Sequence, residues 1–468
     1  MMRSMFSAVS GLSAHQLKMD TVGNNIANVN TVGYKGGRTT FQEVFTQTIR
    51  GAGAPQDGLG GTNPRQVGLG IDVSSMDTFH IQGAVERTDY ATDMMINGEG
   101  FFMVSDDPNF TNRSYTRAGN FALDGTGNLV TPNGERVLGY LADQNGVLGN
   151  AIEGIRISQG ETFPPQATSE VELAGTLNSR IEAYNNTTNE VVSENGIFIP
   201  VDENGDYVAT NPVDYKVDPG HQDSIAARQN IQVFDSLGGM HNIELAFVKT
   251  TDGSTPPNER FQVEAFYVKD NGGLTHLTDA TTDILNFDTA GNLNLDGTGT
   301  LPTTNNGVLN LTHSVGGGAE DLDFELDLSN LKMFDNPSNV KLESRDGYSQ
   351  GALEDFSVSQ TGEVIGNFDN GQRRILGQMA IANFTNPGGL EKVGGNNYRE
   401  TANSGNINVG NPGTQGLGVI NAGSLEMSNV DLSKEFTNMI TTQRGFQANS
   451  RIITTSDEML QEVVNMKR

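Results

Sequence analysis

The sequence predicts an α+β, mainly β protein with nested discontinuous domains: two terminal coiled-coil-like helices, and β-rich middle domains inserted one within another. Three observations carry this. Each end of the chain has an apolar stripe at helical spacing, with none of comparable strength between them. Short alternating runs broken by Gly, Asn and Asp fill the middle, and the chain holds 57 Gly but no Trp. With 468 residues it also exceeds one ordinary core, because domains usually hold about 100–150 residues.

At the N-terminal end Met5, Ala8, Leu12, His15, Met19, Val22 and Ile26 step alternately by three and four. At the other end Leu432, Phe436, Met439, Gln443, Phe446, Ser450, Ile453, Asp457, Leu460 and Val464 repeat the pattern with three polar interruptions. Ser428 or Asn429 is expected to cap the second helix, with Asp431 at its positive end. Gly445, costly in a helix, suggests close packing or a bend. The helices should span about 33 and 52 Å. Such stripes are satisfied either by an ordinary globular core or by one another and copies in neighbouring subunits. Their placement at the two ends of the chain favours the second, since an isolated amphipathic helix is marginal in water.

The middle is divided by composition. Residues 1–30 and 428–468 form the helical core domain, 31–72 a Gly-rich extended connector, 73–155 and 346–427 an inner β domain, and 156–345 an outer β domain or domains. Asn120-Phe121-Ala122-Leu123-Asp124-Gly125-Thr126-Gly127-Asn128-Leu129-Val130 predicts a hairpin with a Gly-rich turn.

Net charge is −28, which argues against a nucleic-acid partner, since phosphate binding needs a basic surface. The charge is unevenly spread: residues 1–35 hold three basic and one acidic side chain, and 428–468 five of each. The middle therefore carries all of the negative excess, as suits ends that pack together and a middle that faces solvent. Cysteine is absent, which excludes disulfides, thiolate zinc sites and cysteine nucleophiles. Ser and Gly interrupt the first residues, so no cleavable leader is expected, and no run approaches the roughly 20 apolar residues of a membrane helix.

After the first helix stands Asn24-Asn25-Ile26-Ala27-Asn28-Val29-Asn30-Thr31-Val32-Gly33-Tyr34-Lys35. Further on come Ile96-Asn97-Gly98-Glu99-Gly100-Phe101-Phe102, Arg117-Ala118-Gly119-Asn120-Phe121, and Gln443-Arg444-Gly445-Phe446-Gln447-Ala448-Asn449. These segments resemble, in order, the signatures of the flagellar rod and hook proteins, and the large insertion at 156–345 is similar to the hook subunit rather than the shorter rod subunits. The resemblance implies a secreted structural protein that polymerises into a flexible curved tube with its terminal helices lining the interior. It also implies extracellular location, passage through the flagellar type III export apparatus, and distal rod, hook cap and hook–filament junction proteins as partners. The assembly interface would include Met5, Leu12, Met19, Val22, Asn24, Asn25, Ile26, Leu432, Phe436, Met439, Phe446, Ile453, Leu460 and Val464. A distal rod subunit and a β-rich extracellular adhesin are the alternatives.

No catalytic, cofactor or metal site is expected. Gly347-Tyr348-Ser349-Gln350-Gly351 matches a nucleophile elbow, but the residues after Ser349 read as a strand where the elbow needs a helix. Asp202, Asn204 and Asp206 open like a calcium loop, yet Tyr207 and Val213 stand where Gly and a bidentate Glu belong. The six histidines form no ligand pairing, and Gly98-Glu99-Gly100 and Gly316-Gly317-Gly318 do not continue into a phosphate loop.

Overall fold

The computed structural model describes residues 2–466 except 56–59, 159, 185–190, 195, 203–204, 209–211, 252–258, 270–271, 278–283, 289, 295–306 and 317. Among these residues the chain is mainly β, with one long helix at each end: α1 (Met2–Ala27) and α2 (Leu432–Asn465). At 1.5 Å per residue they are about 39 and 51 Å long. The cap of α2 is Asp431, whose carboxylate accepts from Ser433 N (2.9 Å) and Lys434 N (3.2 Å). Neither expected capping residue serves: Ser428 Oγ accepts from Val430 N, and Asn429 is committed elsewhere.

The chain divides into two compact units. The first comprises Met1–Glu161, Leu353–Asn367 and Arg373–Arg468, and the second Thr162–Ala352 and Phe368–Gln372. Leu353 N donates to Glu161 O at 3.2 Å, so the longer of the two excursions from the first unit begins and ends at adjacent residues.

In the first unit the strand Arg136–Ala142 is central, pairing antiparallel with Phe101–Ser105, Leu148–Gly154 and Arg373–Met379. Phe101–Ser105 pairs in turn with Ser114–Thr116 and Ile381–Phe384. Phe101, Met103, Tyr115, Leu138, Phe384 and Tyr398 form its core. Each such side chain contributes about 1.5–3 kcal/mol on burial. Between α1 and this body the chain runs out along Gly37–Glu43 and back along Ile71–Thr78, paired antiparallel, beyond which Thr46–Arg50 and Arg65–Gly68 form an exposed hairpin.

The second unit packs two sheets. One has the order Val308–His313, Leu322–Phe334, Glu170–Asn178, Asn339–Arg345, its central pair parallel. The other is built on Ile225–Phe234, Met240–Thr251 and Glu259–Val268. Alternation sets the faces: Leu322, Phe324, Leu326 and Leu328 point inward against Leu245, Phe247 and Phe261, while Asp323 and Glu325 point out. Ala246 and Val248, on the opposite face of the same strand as Phe247, pack into a second cluster with Phe198 and Phe266.

The hairpins share a local code. In Asp143-Gln144-Asn145-Gly146-Val147 one carboxylate oxygen accepts from Asn145 N and Val147 N, both at 2.9 Å, and Gly146 takes φ +78°, a region closed to most side chains. The Asp124–Asn128 turn predicted as a hairpin has the same bonds. Ser349 is followed by the strand Gly351–Val358. Asp202 Oδ1 accepts from Asp206 N, which closes a turn, whereas position 204 of the calcium-like pattern and Gly317 lie outside the described residues.

Candidate functional site

Several of the signature segments singled out in the sequence converge where both helices meet the β body. Asn25, at the end of α1, is buried and closes a reciprocal pair with Gly37: Oδ1 accepts its N–H (2.9 Å) and Nδ2 donates to its carbonyl (2.8 Å). Tyr34 OH donates to the same Oδ1, and Asn24 Nδ2 donates to Tyr34 OH, each at 3.2 Å. From the other terminus Asn429 does equivalent work, accepting from Gly36 N (2.8 Å) and donating to Phe79 O (2.8 Å). Gly33 donates to Glu426 O at 2.7 Å with φ +68°, and a β-carbon there would stand 2.6 Å from Ala118 N. Only glycine fits.

At the centre lies Glu426. One carboxylate oxygen accepts from Lys35 Nζ (2.5 Å) and Gly83 N (2.8 Å), and the other from Arg117 Nη1 (3.4 Å). The Lys35 and Glu426 side chains are 0% exposed and Arg117 is 5% exposed. Two cations thus share one carboxylate, and backbone carbonyls supply the remaining acceptors: Ile81 O for Lys35 (2.8 Å), and Ile96 O (3.3 Å) and Gly98 O (2.8 Å) for Arg117. Burial pulls the Lys35 and Arg117 pKa values down, opposed by Glu426. Burial, with Lys35, Arg117 and Lys392 nearby, holds His80 at about 4, so it is neutral at pH 7. Its ring lies edge-on to Phe101 and Tyr398. Burial likewise pushes the Tyr398 hydroxyl well above its usual range.

The helices run antiparallel and crowd each other at two glycines. A β-carbon at Gly11 would stand 2.6 Å from Asn449 Nδ2, and one at Gly445 would stand 2.8 Å from the His15 ring. The buried line is made of small or polar residues, Ala8, Gly11 and Ala14 on α1 and Thr442 and Ser456 on α2. Gln443 and Asp457, one residue further along the apolar period, are exposed. Burial lowers the His15 pKa, reinforced by Lys18. The large apolar side chains mostly point away from this line. Phe6 is 64% exposed and Phe436 50%, with Val9, Leu17, Ile440, Ile452 and Val463 also exposed.

Of the residues picked from sequence, Val22 and Asn25 are buried within the chain. Met5, Leu12, Met19, Ile26, Met439, Phe446, Ile453 and Leu460 are half-buried, and Asn24, Leu432, Phe436 and Val464 are exposed. Reading by periodicity missed Lys35, Arg117 and Glu426, and it offered Asn429 only as a helix cap. Two of them, Lys35 and Arg117, stood inside the quoted signatures, and that was their only signal.

Family descriptions match four stretches of the chain: "Flagella basal body rod protein" over 5–35, "Flagellar hook protein FlgE/F/G D1 domain" over 95–199, "Flagellar basal body protein FlaE D2 domain" over 201–348, and "Flagellar basal body rod FlgEFG protein C-terminal" over 421–466. The flagellar hook protein FlgE of Borreliella burgdorferi is 38% identical, and that of Treponema pallidum 36%, each alignment covering 100% of both chains. FlgE of Salmonella typhimurium is 31% identical over 99% of this chain and 100% of its own. Full-length similarity at this level, over a mainly β chain with paired terminal helices, places the protein: the chain belongs to the flagellar hook protein family.

Proposed function

We propose that the chain is the structural subunit of the bacterial flagellar hook, polymerising into the curved tube that joins the basal-body rod to the filament and transmits torque. The observation that carries this is the inverted helix pair: small and polar residues face the partner helix, while Phe6, Val9, Phe436 and Ile440 face outward. Apolar stripes exposed on both helices favour burial against further copies, and head-to-tail contacts that do not close build a helical filament. The interface takes in the half-buried and exposed residues of the set above, Met5, Leu12, Met19, Leu432, Phe436, Met439, Phe446, Ile453, Leu460 and Val464 among them. The reading extends to export through the flagellar type III apparatus without a cleaved leader, to distal rod, hook cap and junction proteins as neighbours, and to a role without catalysis. Electron microscopy of a strain lacking the chain tests it. Basal bodies that keep the rod but lose the curved joint are the expected result; intact hooks would overturn it.

A further inference from the structure

The two helices are unequal in length, and their register places the excess at one end. Gly11 lies against Asn449 and His15 against Gly445, so a step of four residues along α1 matches four in the opposite direction along α2. Continued to the first turn, this register sets Met2 across from position 458. Residues 459–465 of α2, about 10 Å of helix, then have no α1 residue opposite them among the described residues. Every residue from 461 to 466 is exposed, Val464 at 65% and Met466 at 82%, and Met459 and Val463 are exposed as well. Among the described residues this overhang is an apolar helix end with no α1 residue against it.

At the opposite end of α2, the same unit opens a cleft of about 680 Å³ beside the buried root. Val22, Phe79, Ile81 and Val430 supply apolar wall, and Lys18 and Lys434 stand on its border with Asp431 and Glu435. One turn of a helix about 10 Å wide occupies roughly 420 Å³, so the cleft has room for about one and a half turns. Both partners carry mixed charge: Glu458 and Glu462 at or beside the overhang are opposite in sign to Lys18 and Lys434, and Lys467 and Arg468, which follow it in sequence, are opposite in sign to Asp431 and Glu435.

We propose that the α2 overhang of one copy seats in the root cleft of a second copy, so that each subunit offers one tip and one socket. The contact is heterologous, tip to socket, and repeated in one sense it propagates a file of subunits along the polymer. It rests on the assembly reading above and names the surfaces that the reading leaves open.

The absence of native cysteine makes the test free of background. Val463→Cys or Met466→Cys at the tip is combined with Ile81→Cys or Asn438→Cys at the cleft, and assembled polymer is oxidised and run under denaturing, non-reducing conditions. Tip and cleft are about 40 Å apart along α2, beyond the reach of a disulfide, so each crosslink joins two copies. The expected product is a ladder of dimers, trimers and longer species, with no crosslink from either single variant beyond a dimer. If the doubly substituted chains sediment as normal polymer and none of the four pairs crosslinks, while Val463→Cys with Ile440→Cys does, the tip packs against another helix and the proposal is overturned with assembly intact. If the unsubstituted chain forms no polymer, the assembly reading fails and this contact fails with it.

Discussion

His15 and Gly445 face each other across the helix pair so closely that a β-carbon at position 445 would stand 2.8 Å from the imidazole. The ring cannot swing aside freely, because Phe41 packs edge-on to it with ring centres 5.7 Å apart. Gly445→Ala gains about 1 kcal/mol of helix propensity but overpacks the crossing at about 1–3 kcal/mol. The crowding wins. The critical concentration for polymerisation should rise several-fold, and His15→Ala should restore most of it in a double-mutant cycle; additive losses would place the cost elsewhere.

Glu426 is the sole carboxylate hydrogen-bonded to Lys35 and Arg117 among the described residues. Glu426→Gln leaves two buried cations uncompensated and should cost about 3–5 kcal/mol, read as an earlier denaturant midpoint for the first unit. Lys35→Met leaves the Arg117–Glu426 pair balanced and should cost distinctly less. Equal losses from the two variants would show that the cations do not share the carboxylate as drawn.

His80 ties stability to acidity. Its folded pKa of about 4 lies below the usual 6.5, so between these values the unfolded chain takes up a proton that the folded chain refuses. Its contribution is therefore intact above pH 6.5 and is lost as pH falls toward 4, by about 3 kcal/mol when complete. Chemical denaturation of the first unit at several pH values should show this slope, and His80→Gln should flatten it. An unchanged slope would assign the acid sensitivity to other groups.

Phe436 is half exposed, whereas Phe446 lies closer to the helix contact. Phe436→Asp should abolish polymerisation while the β units of the monomer melt at an unchanged temperature, since the aromatic lies on α2, outside the β cores, with half its surface left for other copies to cover. Phe446→Asp should also stop assembly, and should in addition lower the helicity of any residual polymer. Normal hooks from Phe436→Asp, seen by electron microscopy, would mean that this face of α2 looks into solvent.

These residues show what the sequence reveals and what it conceals. The period of both helices is plain because apolar side chains recur every three or four positions, and the hairpins are plain because Asp and Gly mark each turn locally. The phase of the helix contact is not. Thr442, Gly445, Asn449 and Ser456 face α1 at a close approach that only small or compact residues permit, and a hydrophobicity scale assigns such residues to solvent. The Lys35–Glu426 pair joins positions 391 residues apart, and nothing near either residue in sequence names the other. Register, volume and long-range charge pairing are properties of the folded chain.

The adjacency of Glu161 and Leu353 has a practical outcome. Because the longer excursion departs and returns through hydrogen-bonded neighbours, the 191 residues of Thr162–Ala352 begin and end at one clasp in the first unit, while Phe368–Gln372 makes a second, much shorter excursion. A short reverse turn could bridge the clasp, and a foreign domain whose own termini lie close together could be spliced there. The flagellar joint would then become a scaffold that displays a chosen cargo at every lattice point.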